Sequence, residues 1–152
     1  MKMYGLWLSC LLCMAACEGQ EGSGKTDVEK VAATFSDAYF NYDFKRAEKY
    51  ITPESRQWLY FAASNVSQAT LDVLNQLGEE EQPTVFVGGT EVIDDSTQAV
   101  SVSIRNIVDT DSIGQAPTLR DEETFRLTLV NREDNWMVKM EGLPRSEKRS
   151  RD

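Results

Sequence analysis

Val100-Ser101-Val102-Ser103-Ile104-Arg105 alternates apolar and polar side chains one by one. That period belongs to a strand with one buried face and one polar face. It returns downstream, where Phe125, Leu127 and Leu129 alternate with Thr124, Arg126 and Thr128. Asn131 to Asn135 then closes a hairpin into Trp136, Val138 and Met140. Upstream, Val85 and Val87 begin a strand that Gly88-Gly89 is expected to bulge and that ends near Ile93, and Asp94-Asp95-Ser96 turns the chain. Residues around 109–121 read as a loop.

Before Thr84 the period is helical. Thr26-Asp27-Val28-Glu29 is a capping box, in which hydroxyl and carboxylate satisfy free amides at a helix start. Val28, Val31, Ala32, Phe35, Ala38, Tyr39 and Tyr42 follow as one apolar stripe. A break at Asn41-Tyr42-Asp43 precedes a short helix with Phe44, Ala47 and Tyr50. Thr52-Pro53-Glu54 restarts the chain as a cap, a proline at the first helical position and an acid in the first turn. A third helical region runs to Leu77, with Trp58, Phe61, Ala62, Ala69, Val73 and Leu77 on one side. Asn65-Val66-Ser67 suggests a bend in it, and Gly78 a stop. Helices first and antiparallel strands afterwards predict an α+β domain, with the helices covering one face of a curved sheet.

The first residues carry a different message. Lys2 precedes an apolar run from Leu6 to Ala16, too short for a permanent membrane span, and the run ends in Ala15-Ala16-Cys17. This resembles a bacterial lipoprotein signal, with Met14 where leucine is commoner. The resemblance implies cleavage after residue 16 and lipidation of Cys17 (palmitate being one expected acyl group). Glu18-Gly19 in place of an aspartate after the cysteine points to the outer membrane of a bacterial envelope. The expected division is a signal over 1–16, an anchor and linker over 17–25, the domain over 26–143, and a disordered tail over 144–152. Gly19 to Thr26 matches the G-x-x-x-x-G-K-[ST] phosphate loop. A phosphate loop needs a strand immediately before it, and here a signal stands there, so the stretch reads as a Gly/Ser tether.

Composition narrows the chemistry. The chain has a net charge of −9, and only Lys2 among its charges falls in the signal. That argues against nucleic acid and against adsorption to anionic headgroups. Its cysteines stand at 10, 13 and 17, leaving the domain without a disulfide. It has no histidine, which excludes Ser-His-Asp triads, Cys-His pairs and His-zinc sites. No cofactor and no metal site are indicated. Asp109 to Gly114 imitates the start of a calcium loop but fails at Ile113 and at Arg120, where a bidentate glutamate is required.

The helix over 28–42, the stretch from Tyr42 to Glu54 and the hairpin ending Asn135-Trp136-Met137-Val138-Lys139-Met140 together resemble the NTF2-like, cystatin-like α+β superfamily. The small envelope lipoproteins of that group are the nearest likeness, over about residues 27–143. The resemblance implies a cone whose open end holds a ligand and whose outer sheet face dimerises.

Against that frame, Tyr39, Tyr42, Trp58, Tyr60 and Trp136 offer apolar bodies with polar tips for a pocket. Ordinary cores use aromatics in the same way, and from sequence alone that is the preferred role. Asp37 and Asp43 are the carboxylates nearest this cluster, and Asp43 stands where a helix cap is expected. Arg105 and Arg126 share the polar strand face with Ser101, Ser103, Thr124 and Thr128, a surface suited to solvent, an anion or a partner chain. Glu79-Glu80-Glu81 and Asp121-Glu122-Glu123 read as solvated charge. The sequence thus predicts a lipid-anchored, non-catalytic module. Its partners are the membrane through Cys17, a small apolar or aromatic ligand, and a homodimer or another envelope protein. The alternative is a small-molecule isomerase or dehydratase using a buried carboxylate and a tyrosine, as related folds do.

Overall fold

A computed structural model of the chain describes residues 26–109 and 116–148. The signal, Cys17, the linker to residue 25, most of the calcium-loop imitation and residues 149–152 lie outside the described residues. Four helices come first: α1 (Asp27–Phe40), α2 (Phe44–Ala47), α3 (Arg56–Ser64) and α4 (Gln68–Gln76). Four strands follow: β1 (Thr84–Asp94), β2 (Thr97–Asp109), β3 (Thr118–Arg132) and β4 (Asn135–Lys139). The strands pair antiparallel in the order β1-β2-β3-β4, and the helices pack on the sheet. The α+β class predicted from the change of period is the class observed. Among the described residues no helix is long and apolar enough to cross a membrane.

The local chemistry follows the residues. Thr26 Oγ1 accepts the Glu29 amide at 3.3 Å, and Glu29 Oε2 accepts the Thr26 amide at 2.9 Å, which completes the capping box. Val28, Ala32, Phe35 and Ala38 turn inward and meet Val100, Val102, Ile104, Leu127, Leu129 and Val138 from the sheet. The register of β1 shifts between Val87 and Thr90, where Gly88-Gly89 forms the expected bulge. A Cβ at Gly88 would stand 3.3 Å from the Ser101 carbonyl oxygen, so glycine admits the neighbouring strand. Glu133 and Asp134 both have positive φ (52° and 63°), the signature of a two-residue primed turn, and they join β3 to β4.

Three expectations are corrected. The third helical region is two helices, and the second begins afresh with Ser67 accepting the Thr70 amide at 3.2 Å. The new start resets the phase, so Thr70 and Leu74 are buried while Ala69 is exposed; within α3, Leu59 and Ala62 are buried and Phe61 is exposed. The loop expected over 109–121 is shorter, because Thr118, Leu119 and Arg120 already pair with Asp109, Val108 and Ile107. Order also runs past Pro144. Ser146 bridges Phe125, is 3% exposed, and is followed by a Glu147 amide bonded to the Thr124 carbonyl at 2.8 Å. The polar letters of 144–148 hid a backbone pairing to β3, which side-chain hydropathy does not report.

Arg132, at the β3 end, grips the Glu54 carboxylate with both guanidinium nitrogens, Nη1 at 2.9 Å. That fork holds the Glu54 carboxyl at about 2, below the ordinary 4.5. A depressed acid contributes stability above its unfolded pKa and loses it as pH falls through the folded one. The stability difference between the wild type and Glu54→Gln is therefore expected at neutral pH and should vanish between pH 4.5 and about 2. Urea titrations at stepped pH check this. A difference that is constant with pH would refute the linkage.

Candidate functional site

Helix α1 ends in a Schellman motif: the Tyr42 amide bonds the Tyr39 carbonyl at 3.1 Å, and the Asp43 amide bonds the Ala38 carbonyl at 2.8 Å. The left-handed position in this motif normally falls to glycine, yet Tyr42 occupies it with φ 61°. A tyrosine there is strained by roughly 1–2 kcal/mol. Its hydroxyl donates to the Val108 carbonyl at 2.6 Å, and its ring meets Phe44 edge-on at 5.9 Å. These contacts hold Tyr42 across the end of the sheet. Tyr39, one turn back, meets the Phe35, Phe40 and Phe44 rings at 5.2–5.6 Å. Burial, with Tyr42 beside it, pushes the Tyr39 phenol well above the ordinary tyrosine range. It is a neutral donor and acceptor at any physiological pH.

The sheet adapts at the same place. Val100, Val102 and Ile104 belong to the core, and strict alternation would continue with 106 and 108. Asn106 instead takes φ 58°, and Ile107 is the next core residue. The side chain of Asn106 donates to the Glu80 carbonyl at 3.1 Å, which pins this irregularity. Ile107, Val108 and Asp109 all come to line the same hollow. Arg120 ties the Asp109 and Glu123 carboxylates together, the latter at 2.7 Å.

The segment after β4 closes the hollow. Residues 141–146 cross from β4 back to β3 and form one wall of a cleft of about 690 Å³. Its other walls are the aromatic end of α1, Phe44 of α2, the Trp58-Phe61-Ala62-Asn65 side of α3, and Ile107 with Phe125 from the sheet. A second cleft, of about 730 Å³, lies where the same segment meets β3 and β4, and Phe35 is the one aromatic among the described residues that line it.

Of the five aromatics singled out from sequence, Tyr39, Tyr42 and Trp58 meet in the aromatic cleft. Tyr60 and Trp136 do not. Tyr60 points away and donates to Glu48 Oε1 at 2.6 Å, while Trp136 packs on the core cluster. Neither Asp37 nor Asp43 lines the cleft. Asp37 pairs with Arg46, and Asp43 caps α2 by accepting the Arg46 amide at 3.1 Å. Arg105 stacks over Phe86 at 4.6 Å and pairs with Glu122, and Arg126 pairs with Glu91. Sequence reasoning missed Phe40, Phe44 and Phe61, the strand residue Phe125, and the 141–146 wall. Phe40, Phe44 and Phe61 sit beside the quoted tyrosines, and only the requirement for a polar tip left them out.

No family model matches the chain, and no curated protein matches it. One solved structure, described as "Ntf2 like protein involved in plasmid conjugation", aligns at 16% identity and a TM-score of 0.38. The alignment covers 78% of this chain and 48% of that one, so this chain spans about half of that protein's length.

Proposed function

We propose that the domain is a non-catalytic binding module that takes a small apolar or aromatic ligand into the cleft between α1, α3 and residues 141–146. The carrying observation is the cleft itself: about 690 Å³, within the range of small-molecule sites, with Tyr39, Tyr42, Trp58 and Phe61 around it. Its carboxylates are all paired, Asp109 and Glu123 with Arg120 and Glu141 with Lys139, an arrangement that suits a wall better than a general base. The NTF2-like assignment and the placement of the protein on the outer membrane, anchored through Cys17, belong to the same proposal and rest on the sequence. Two signals are needed for a stable lipid anchor, and the lipid expected on Cys17 would supply more than one acyl chain.

Native mass spectrometry of the full chain, gently purified from source cells, tests this reading. The expected result is an added mass that disappears on denaturation. Trp58→Ala is expected to abolish its retention while far-UV circular dichroism stays unchanged, since Trp58 is only half-buried. A bare monomer would refute the reading. A bare dimer would move the function to the outer sheet face around Phe86, Arg105 and Arg126, where Phe86 is 44% exposed.

A further inference from the structure

Ser146 is the unusual member of the cleft wall. It is 3% exposed, and its hydroxyl finds no hydrogen-bond partner among the described residues. A buried hydroxyl left unpaired is unfavourable, so such groups are normally satisfied by protein or by something bound. Ser36 Oγ and Arg46 Nε are also buried and unpaired, but neither residue lines the aromatic cleft. Ser146 does. Arg145, beside it, stands where the two clefts meet, lining both, and makes no ion pair with any described residue. The acids at the cleft differ in this respect. Asp109 and Glu123 are held by Arg120, and Glu141 lies 3.0 Å from Lys139 Nζ.

We infer that the ligand of this cleft is a carboxylate-headed amphiphile, its apolar body against the aromatics and its acid on Arg145 and the Ser146 hydroxyl. The inference rests on the cleft reading above and adds the head group to it. The hydroxyl donates one hydrogen bond to the carboxylate. The guanidinium supplies planar, charge-assisted donors that match a carboxylate better than a neutral oxygen. Both groups come from the 141–146 segment, so the acid is read by the wall that closes the site. An uncharged head would forgo the charge-assisted bonds to Arg145, and a cationic head would be repelled by it.

Isothermal titration calorimetry of the full chain with decanoate, decanol and decyltrimethylammonium tests this at pH 8, below their micelle concentrations. The expected result is decanoate binding about tenfold tighter than decanol, the size of one charge-assisted hydrogen bond. Arg145→Gln and Ser146→Ala are each expected to bring decanoate towards the decanol affinity. Arg145 is exposed, so its substitution leaves the fold in place and keeps the test valid should Ser146→Ala disturb the segment. Equal affinity for acid and alcohol would overturn the head-group assignment and leave the apolar cleft standing. Tightest binding of the ammonium probe would overturn it as well. An acid preference that survives both substitutions would overturn the role of these two residues. No binding of any probe would remove the assignment and the cleft reading together.

Discussion

Phe35→Ala is expected to destabilise the domain by about 3–5 kcal/mol, the range for removing a large buried aromatic side chain. Phe35 is 0% exposed and lies on the face of α1 that meets the sheet. Its ring stands 5.5 Å from Tyr39, so the void would open beside the first wall of the cleft. The domain has no disulfide and no histidine-held metal to offset such a loss. Total stabilities of single domains are about 5–15 kcal/mol, so this one change would leave the fold marginal. A fall in the urea midpoint with an unchanged slope is the expected signature. Val92→Ala, at a residue 69% exposed, should stay within about 0.5 kcal/mol of wild type and serves as the control. A Phe35→Ala loss as small as that of Val92→Ala would show that α1 is not clamped to the sheet.

Phe35 was legible in the sequence because α1 keeps one phase for its whole length, from a satisfied capping box to Tyr39. The strand face Val100, Val102 and Ile104 was legible for the same reason. Legibility ended wherever the backbone leaves a regular period. Asn106, with its left-handed φ, moves the inward position from 106 to 107, and no side-chain pattern announces that. Ser67 restarts a helix and shifts the buried positions to Thr70 and Leu74. The cleft was half legible. Tyr39, Tyr42 and Trp58 stood out as aromatics with polar tips, but the wall that completes the site is built from Glu141, Gly142, Leu143, Pro144, Arg145 and Ser146. Those letters look like a tail. They are placed by backbone bonds, and hydropathy reads side chains alone.

Ser55→Ala is the second change with a large expected effect, because one hydroxyl holds the root of that wall. Ser55 is fully buried, and its Oγ accepts the Met140 amide at 2.8 Å while sharing a hydrogen bond with Thr52 Oγ1 at 2.7 Å. Thr52 in turn donates its amide to the Val138 carbonyl at 3.0 Å, so the turn before α3 is fastened to the end of β4. Residues 141–146 depart from Met140. Alanine at 55 would strand the buried Met140 amide and the Thr52 hydroxyl, and each such group costs about 1–3 kcal/mol. The expected result is a loss of that order, with faster hydrogen exchange at Met140 and weaker ligand retention in native mass spectra. Ser146→Ala removes the same atom from an equally buried serine, yet that hydroxyl has no partner among the described residues. It should therefore be neutral or slightly stabilising in the unliganded protein. Both serines are buried but their hydroxyls hold different things, so a loss at Ser55 beside no loss at Ser146 would separate a structural hydroxyl from one kept for a ligand. Equal losses would show that Ser146 is bonded within the fold, and the acid-reading role would then fall to Arg145 alone.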